Sequence, residues 1–262
     1  MSITGRRAAW ALIVGAVLVS LGLTVEAQRG GGRQRGFGGR FQPVINGNVP
    51  YDGRFTFVRL RYNNMSRGGD GWIHDYPRGD EHFMKIISAV TLIDPHVDGE
   101  TNILSLDDPD LFKYPVAYMS EPGYWTMSEA ELAGIKAYIA KGGFLIFDDF
   151  RFDHWYNFEF QMNRAVPDAI WYDMTADHPI YHAFYDIDSL DLIPQYFQNY
   201  GTPIFRGLYQ DNDPNKRLIA IANYNTDLSE FWEFSDRGFV SIEDSNEAFK
   251  LGVNYIVYGM TH

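Results

Sequence analysis

Apolar and polar positions along the chain follow two periods in turn, and their succession predicts an α/β fold. Residues 55–62 (Phe-Thr-Phe-Val-Arg-Leu-Arg-Tyr) are rich in β-branched and aromatic side chains and predict a strand ending at Asn63-Asn64. A polar, glycine-rich loop to Gly71 and an aromatic-rich segment, 72–77, come next. Behind the acidic start Asp80-Glu81, residues Phe83, Ile86, Ile87 and Val90 recur at helical spacing, and this helix ends before Pro95. Residues 101–106 predict a short strand, 107–112 a capped helical turn with an early proline, and 115–121 a strand ending in the carboxylate of Glu121. Ser128 and Glu131 form a capping box for a helix that carries Leu132, Ile135 and Ile139 to a stop at Gly142-Gly143.

The segment 142–150, Gly-Gly-Phe-Leu-Ile-Phe-Asp-Asp-Phe, organises the rest. Its unbroken apolar run suits a strand buried on both faces of a parallel sheet, and its two acids fall at the carboxyl edge, where open α/β folds keep their sites. With the preceding strand and helix it fits a crossover unit of ~40 residues. Residues 154–166, with Trp155, Phe158, Phe160 and Met162, predict a helix closed by Pro167, and 169–174 another strand. From 178 to 200 aromatics and aspartates alternate without a period, as in a long irregular excursion over the sheet. Residues 218–225 return to strand, and 245–260 predict a terminal helix with Phe249, Val253, Ile256 and Val257 on one side. The reading is one α/β domain, residues 51–262, with a mostly parallel sheet flanked by helices.

The amino terminus adds a compartment. Arg6-Arg7 precede an apolar run, 8–23, and Val25-Glu26-Ala27 offers small residues to a signal peptidase, so 1–27 predict a secretory signal with Gln28 as the new first residue. The alternative is an uncleaved anchor, the one route to membrane association, although the run falls short of the ~20 residues of a spanning helix. The arginine pair suggests twin-arginine export, but Ala-Ala-Trp follows where a bulky apolar residue and a lysine are usual. Residues 28–50, glycine- and arginine-rich at first, predict a flexible linker, whose arginines could also hold an anionic lipid or the acidic domain itself. An exported protein, periplasmic or extracellular, is expected.

Charge and cysteine content exclude several classes. The formal charge is −12, but six arginines and one acid lie in residues 1–40, leaving 16 basic and 33 acidic residues and a net −17 on the remainder. Such a body repels phosphate backbones, so nucleic acid is not the expected partner. Cysteine is absent, which removes thiol nucleophiles and thiolate metal sites.

Several stretches taken together resemble the bacterial domain-of-unknown-function family 4159: 55–62, Asp-Tyr-Pro (75–77), Tyr-Pro-Val-Ala-Tyr-Met-Ser-Glu-Pro-Gly (114–123), 142–150, Asp-His-Pro-Ile-Tyr-His (177–182) and Asn-Tyr-Ile-Val-Tyr (254–258). The resemblance implies a flavodoxin-like domain of the class I glutamine amidotransferase-like superfamily, in exported or membrane-associated bacterial proteins. It implies no reaction. Amidotransferases use a cysteine on a sharp strand-to-helix turn, and without one glutaminase chemistry is not expected.

Asp148, Asp149 and Glu121 are the candidate catalytic residues. One of the aspartates can face the crevice while the other caps the following helix; alternatively they and Glu121 hold a cation or trade a proton. Asn63 and Asn225 complete the strand-end cluster. His154 lies just behind it, and His178 and His182 have metal-compatible spacing but flank Pro179, which also suits a structural pair hydrogen-bonded to loop backbone. His74-Asp75 with Asp80 and His82 make an acidic, imidazole-rich loop that also reads as a favourable helix start. Tyr124 belongs to a group of aromatics able to form a platform for a sugar or peptide. Asn63, Asp75, Tyr124, His154, His178, His182 and Asn225 are therefore the ligand-binding candidates. No serine elbow is present, and Gly68-Gly69-Asp70-Gly71 lacks the lysine of a phosphate loop. Three roles remain open: a domain binding a small molecule, glycan or envelope protein at the carboxyl strand ends; a metal-assisted hydrolase of a carbohydrate or cell-envelope substrate; or a structural part of an envelope assembly. No cofactor is identified, a divalent metal being the candidate.

Overall fold

A computed structural model of the protein describes residues 45, 47–65, 71–97, 101–191 and 201–262. The expected signal, most of the linker, the 68–70 part of the glycine loop and the end of the 178–200 excursion lie outside the described residues. In chain order the strands are β1 (Val58–Leu60), β2 (Asn63–Asn64), β3 (Asn102–Leu104), β4 (Val116–Ser120), β5 (Trp125–Thr126), β6 (Phe144–Phe150), β7 (Trp171–Asp173), β8 (Ile204–Tyr209) and β9 (Leu218–Tyr224). Seven of them form one sheet in the order β3-β1-β4-β6-β9-β8-β7, while β2 and β5 pair separately. The first five in that order are parallel, β8 pairs antiparallel with β9, and β7 pairs antiparallel with β8. Ranked by chain position, the parallel strands lie 2-1-3-4-5, the flavodoxin-like order, with its switch point between β1 and β4.

The helices are α1 (Arg78–Val90), α2 (Glu129–Ala140), α3 (His154–Ala165), α4 (Leu228–Glu233) and α5 (Ile242–Thr261). Because strand side chains alternate, one sheet face sends Tyr118, Ile146 and Ile221 into a core with Phe83, Trp232 and Val253 from α1, α4 and α5. The other face packs Met119, Phe147 and Ala222 against Ile135 of α2 and Phe158 of α3. Phe83 and Trp232 stack with centroids 4.3 Å apart, fixing α1 against α4. The capping box of α2 is formed as its sequence requires: the Ser128 hydroxyl accepts from Glu131 N, and the Glu131 carboxylate accepts from Ser128 N. Its stop is Gly142, at φ 108°, a conformation other residues resist.

Some elements differ from the sequence pattern. The first strand keeps only Val58–Leu60, since Phe55 makes an isolated bridge to Pro95. β8 carries no clean pattern because Arg206 lies over the Trp155 ring (4.3 Å) and bonds Asp173 (2.7 Å) at the surface. α4, at six residues, is too short to display a period. α5 starts at Ile242, where the Ser241 hydroxyl accepts from Asp244 N.

The sheet edge at β3 is covered by residues that composition places in the linker. The Asn48 side chain donates to the Ile103 carbonyl and accepts from its N–H, and the Asn102 side chain does the same for Val49. Among the described residues no helix is long and apolar enough to cross a membrane.

Candidate functional site

Arginine in the middle of a buried strand needs a reason, and Arg59 of β1 has one. Its guanidinium, fully buried, grips both oxygens of Asp80 on α1 (3.0 and 2.5 Å) and donates to the carbonyls of Trp72 (3.0 Å) and His74 (2.9 Å). Bidentate pairing offsets the desolvation of both ions, and the spare donors tie the 71–77 loop to the sheet. The loop thus delivers His74 and Asp75 over the ends of β1 and β4.

Two further acids arrive from the strands. Glu121 follows β4 directly, at φ 47°, before the helical turn Pro122–Tyr124, and the Tyr62 hydroxyl fixes its carbonyl at 2.7 Å. Gly71 lets the loop close on it: a Cβ there would lie 2.4 Å from Glu121 Oε2. Asp149, at φ 56°, sits where the register of β6 on β9 shifts. Asp75 is also left-handed, at φ 61°. Such backbone costs ~1–3 kcal/mol per non-glycine residue and gathers at functional sites, so three instances on three converging carboxylates mark this rim. His74 Nδ1 lies 2.9 Å from Asp149 Oδ2 and 3.3 Å from Asp75 Oδ2. The imidazole is 48% exposed and the two carboxylates 5% and 1%, so a half-open ring covers an acidic floor.

The charges follow from this geometry. Burial disfavours the imidazolium, but Asp75 and Asp149 outweigh it and hold the His74 pKa far above its ordinary value. For Asp75 burial is likewise outweighed, by His74 and the Ser229 hydroxyl, and its pKa falls to about 2. Burial and then the Asp149 charge push Glu121 up to about 7, and burial raises Asp149 against the pull of His74. A cationic donor therefore stands beside a carboxyl group that is divided between its two forms near neutrality, a combination suited to proton transfer.

Asp148 lies beneath the rim and is fully buried. Its Oδ2 accepts from the Tyr118 hydroxyl (2.9 Å), Leu228 N (3.0 Å) and Ser229 N (3.1 Å), and its Oδ1 from Asn223 Nδ2 (3.1 Å). It thus binds the amino end of α4, not that of α3, the following helix. Burial and Asp149 raise its pKa to about 7. Asp227 caps the same helix, accepting from Glu230 N at 3.0 Å, and the Ser229 hydroxyl donates to Asp75 Oδ2 at 2.5 Å.

The structure brings Asp75, Glu121 and Asp149 together around His74. Tyr124 and His154 are neighbours of this group, their rings 4.6 Å apart, and burial and then Arg151 lower the His154 pKa. Asn63 is exposed in β2, and Asn225, at φ 62°, bonds Thr202 O (3.2 Å) and Phe152 N (3.4 Å). His178 and His182 flank a helical turn at the other end of the sheet. His178 accepts from Ile180 N and packs on Tyr258, itself against Phe144 at the start of β6, while His182 bonds Asp186 and Ala176 O. Sequence reasoning left Asp227, Ser229, Glu230 and Arg59 out of the site. The visible signal was Asp227-x-x-Glu230 directly after an apolar strand.

Donor atoms gather in two sets sharing His74: His74, Asp75, Asp227 and Glu230; and His74, Glu121 and Asp149, each within 4.8 Å. No curated protein matches the chain. The profile of a family described as Domain of unknown function (DUF4159) matches residues 56–260, which takes in every strand and helix described above except Thr261. With its matched region spanning most of its length, the chain belongs to the DUF4159 family.

Proposed function

We propose that the chain is an exported α/β domain that binds a small-molecule, glycan or envelope-protein ligand at the carboxyl ends of its strands. One observation carries this reading: three carboxylates held in left-handed backbone converge on a half-exposed imidazole at the switch point of the sheet. A protonated His74 offers hydrogen bonds to ligand oxygens, and Glu121 can give or take a proton. Phe152 and Tyr156, 52% and 74% exposed just beyond Asp149, suit a sugar face. The signal pattern of residues 1–27 supports export, and the acidity of the rim argues against phosphate backbones. A second reading, metal-assisted hydrolysis of a carbohydrate or cell-envelope substrate, is favoured by the mixed imidazole and carboxylate donor sets.

Thermal shift of the full chain in chelating buffer, against soluble cell-wall glycan fragments and amino sugars, tests the binding reading. A fragment that raises Tm for the wild type should do so much less for Glu121→Gln and Asp149→Asn. A shift that survives intact in both variants places the ligand elsewhere.

A further inference from the structure

The floor beneath His74 presents carboxylate oxygens that hydrogen bonding leaves over. Asp75 and Asp227 face each other across Ser229, whose hydroxyl lies 2.5 Å from Oδ2 of the first and 3.2 Å from Oδ1 of the second. Glu230 N donates to that same Oδ1 at 3.0 Å. One oxygen of each acid is thereby anchored. The other, Oδ1 of Asp75 and Oδ2 of Asp227, is buried with no hydrogen-bond partner among the described residues, and the two residues are only 7% and 1% exposed. Carboxyl oxygens shut away from water without a hydrogen bond call for a proton or a cation.

We infer that His74, Asp75, Asp227 and Glu230 hold a divalent first-row cation of the Mn2+ or Zn2+ kind, which joins the 71–77 loop to the amino end of α4. Their donor atoms all lie within 4.8 Å of one another. That is close to the span of ~4.4 Å across a coordination sphere with metal–ligand bonds of ~2.0–2.2 Å. Three carboxylates and one imidazole, which gives up its proton as the ion enters, suit such an ion better than the all-oxygen preference of Mg2+ or Ca2+. The Ser229 hydroxyl and Glu230 N–H supply the outer hydrogen bonds that aim ligand oxygens. This inference rests on reading the rim as the binding site and deepens it, since an ion there would orient a water or a ligand oxygen beside Glu121.

The test uses metal alone. The full chain, stripped with chelator and returned to metal-free buffer, is titrated calorimetrically with MnCl2, ZnCl2, MgCl2 and CaCl2, and its bound metal is measured by elemental analysis. One Mn2+ or Zn2+ per chain is expected, weakened at least about tenfold by Asp227→Asn and changed by less than about threefold in Asp186→Asn, an exposed acid beside His182 at the other end of the sheet. Asn keeps the capping oxygen of Asp227, so circular dichroism should be unchanged, and Asp75→Asn tests the same ligand set from the other side. The inference is overturned by an absence of saturable binding, by tighter binding of Mg2+ or Ca2+, or by wild-type affinity in both Asp75→Asn and Asp227→Asn. If glycan shifts persist in chelator while metal fails to bind, only the ion is lost; metal binding without any glycan shift removes the ligand reading and leaves the ion.

Discussion

Removing Asp148 should be far more damaging than its place in a short acidic motif suggests. In Asp148→Ala four buried donors lose their acceptor: the Tyr118 hydroxyl, the Leu228 and Ser229 amides and the Asn223 side chain. At ~1–3 kcal/mol for each stranded donor the gross cost is ~4–12 kcal/mol. The vacated space admits about one water, and a buried carboxylate no longer has to be desolvated, so a net loss of ~3–5 kcal/mol is expected. Asp148→Asn keeps an oxygen where three of the donors point and creates one clash of donors with Asn223, costing ~1–2 kcal/mol. Urea unfolding of both variants at equal slope gives the two numbers, and amide exchange at Leu228 and Ser229 should accelerate in the alanine variant. A loss below ~1 kcal/mol in Asp148→Ala, or equal losses in the two variants, would refute the anchoring argument.

Glu121 gives a pH prediction. Its folded pKa, raised to about 7 by burial and Asp149 from an ordinary 4.5, means that the folded chain keeps a proton the unfolded chain has released, so its contribution is full below about 4.5 and is lost as pH rises to about 7. The loss is at most ~3 kcal/mol before screening, and Glu121→Gln should show a correspondingly smaller drop in urea midpoint between pH 5 and pH 8. Arg59→Lys cannot make the two-pronged contact with Asp80 and should destabilise by ~2–4 kcal/mol, with protease nicking in the 71–77 loop as the local readout. On the proposed export, the protein recovered from its native host should begin at Gln28 by intact mass; an unprocessed amino terminus in the membrane fraction would favour the anchor.

The parallel core was legible because its strands, buried on both faces, leave long apolar runs such as Phe144-Leu145-Ile146-Phe147, and because the Ser128/Glu131 box and Gly142 punctuate the helix before it. β8 was not, since a strand paired on both sides but with Arg206 folded over an aromatic ring shows no clean alternation. The carboxylates at the ends of β4 and β6 were readable as a rim. What sequence could not give was which of two adjacent acids faces it: the left-handed turn at Asp149 directs that residue to His74 and leaves Asp148 to hold α4. His74 itself was visible only as part of a polar loop, because the bond that aims it, from Arg59 to its carbonyl, joins residues from different elements.

The double amide clasp at β3 has a consequence for solubility. Asn48 occupies both backbone groups of Ile103 that an incoming strand would seek, so the sheet cannot be lengthened on that side by another molecule. A truncation beginning at residue 51 would strip this guard while sparing the rim, and should drive the trimmed protein toward concentration-dependent self-association.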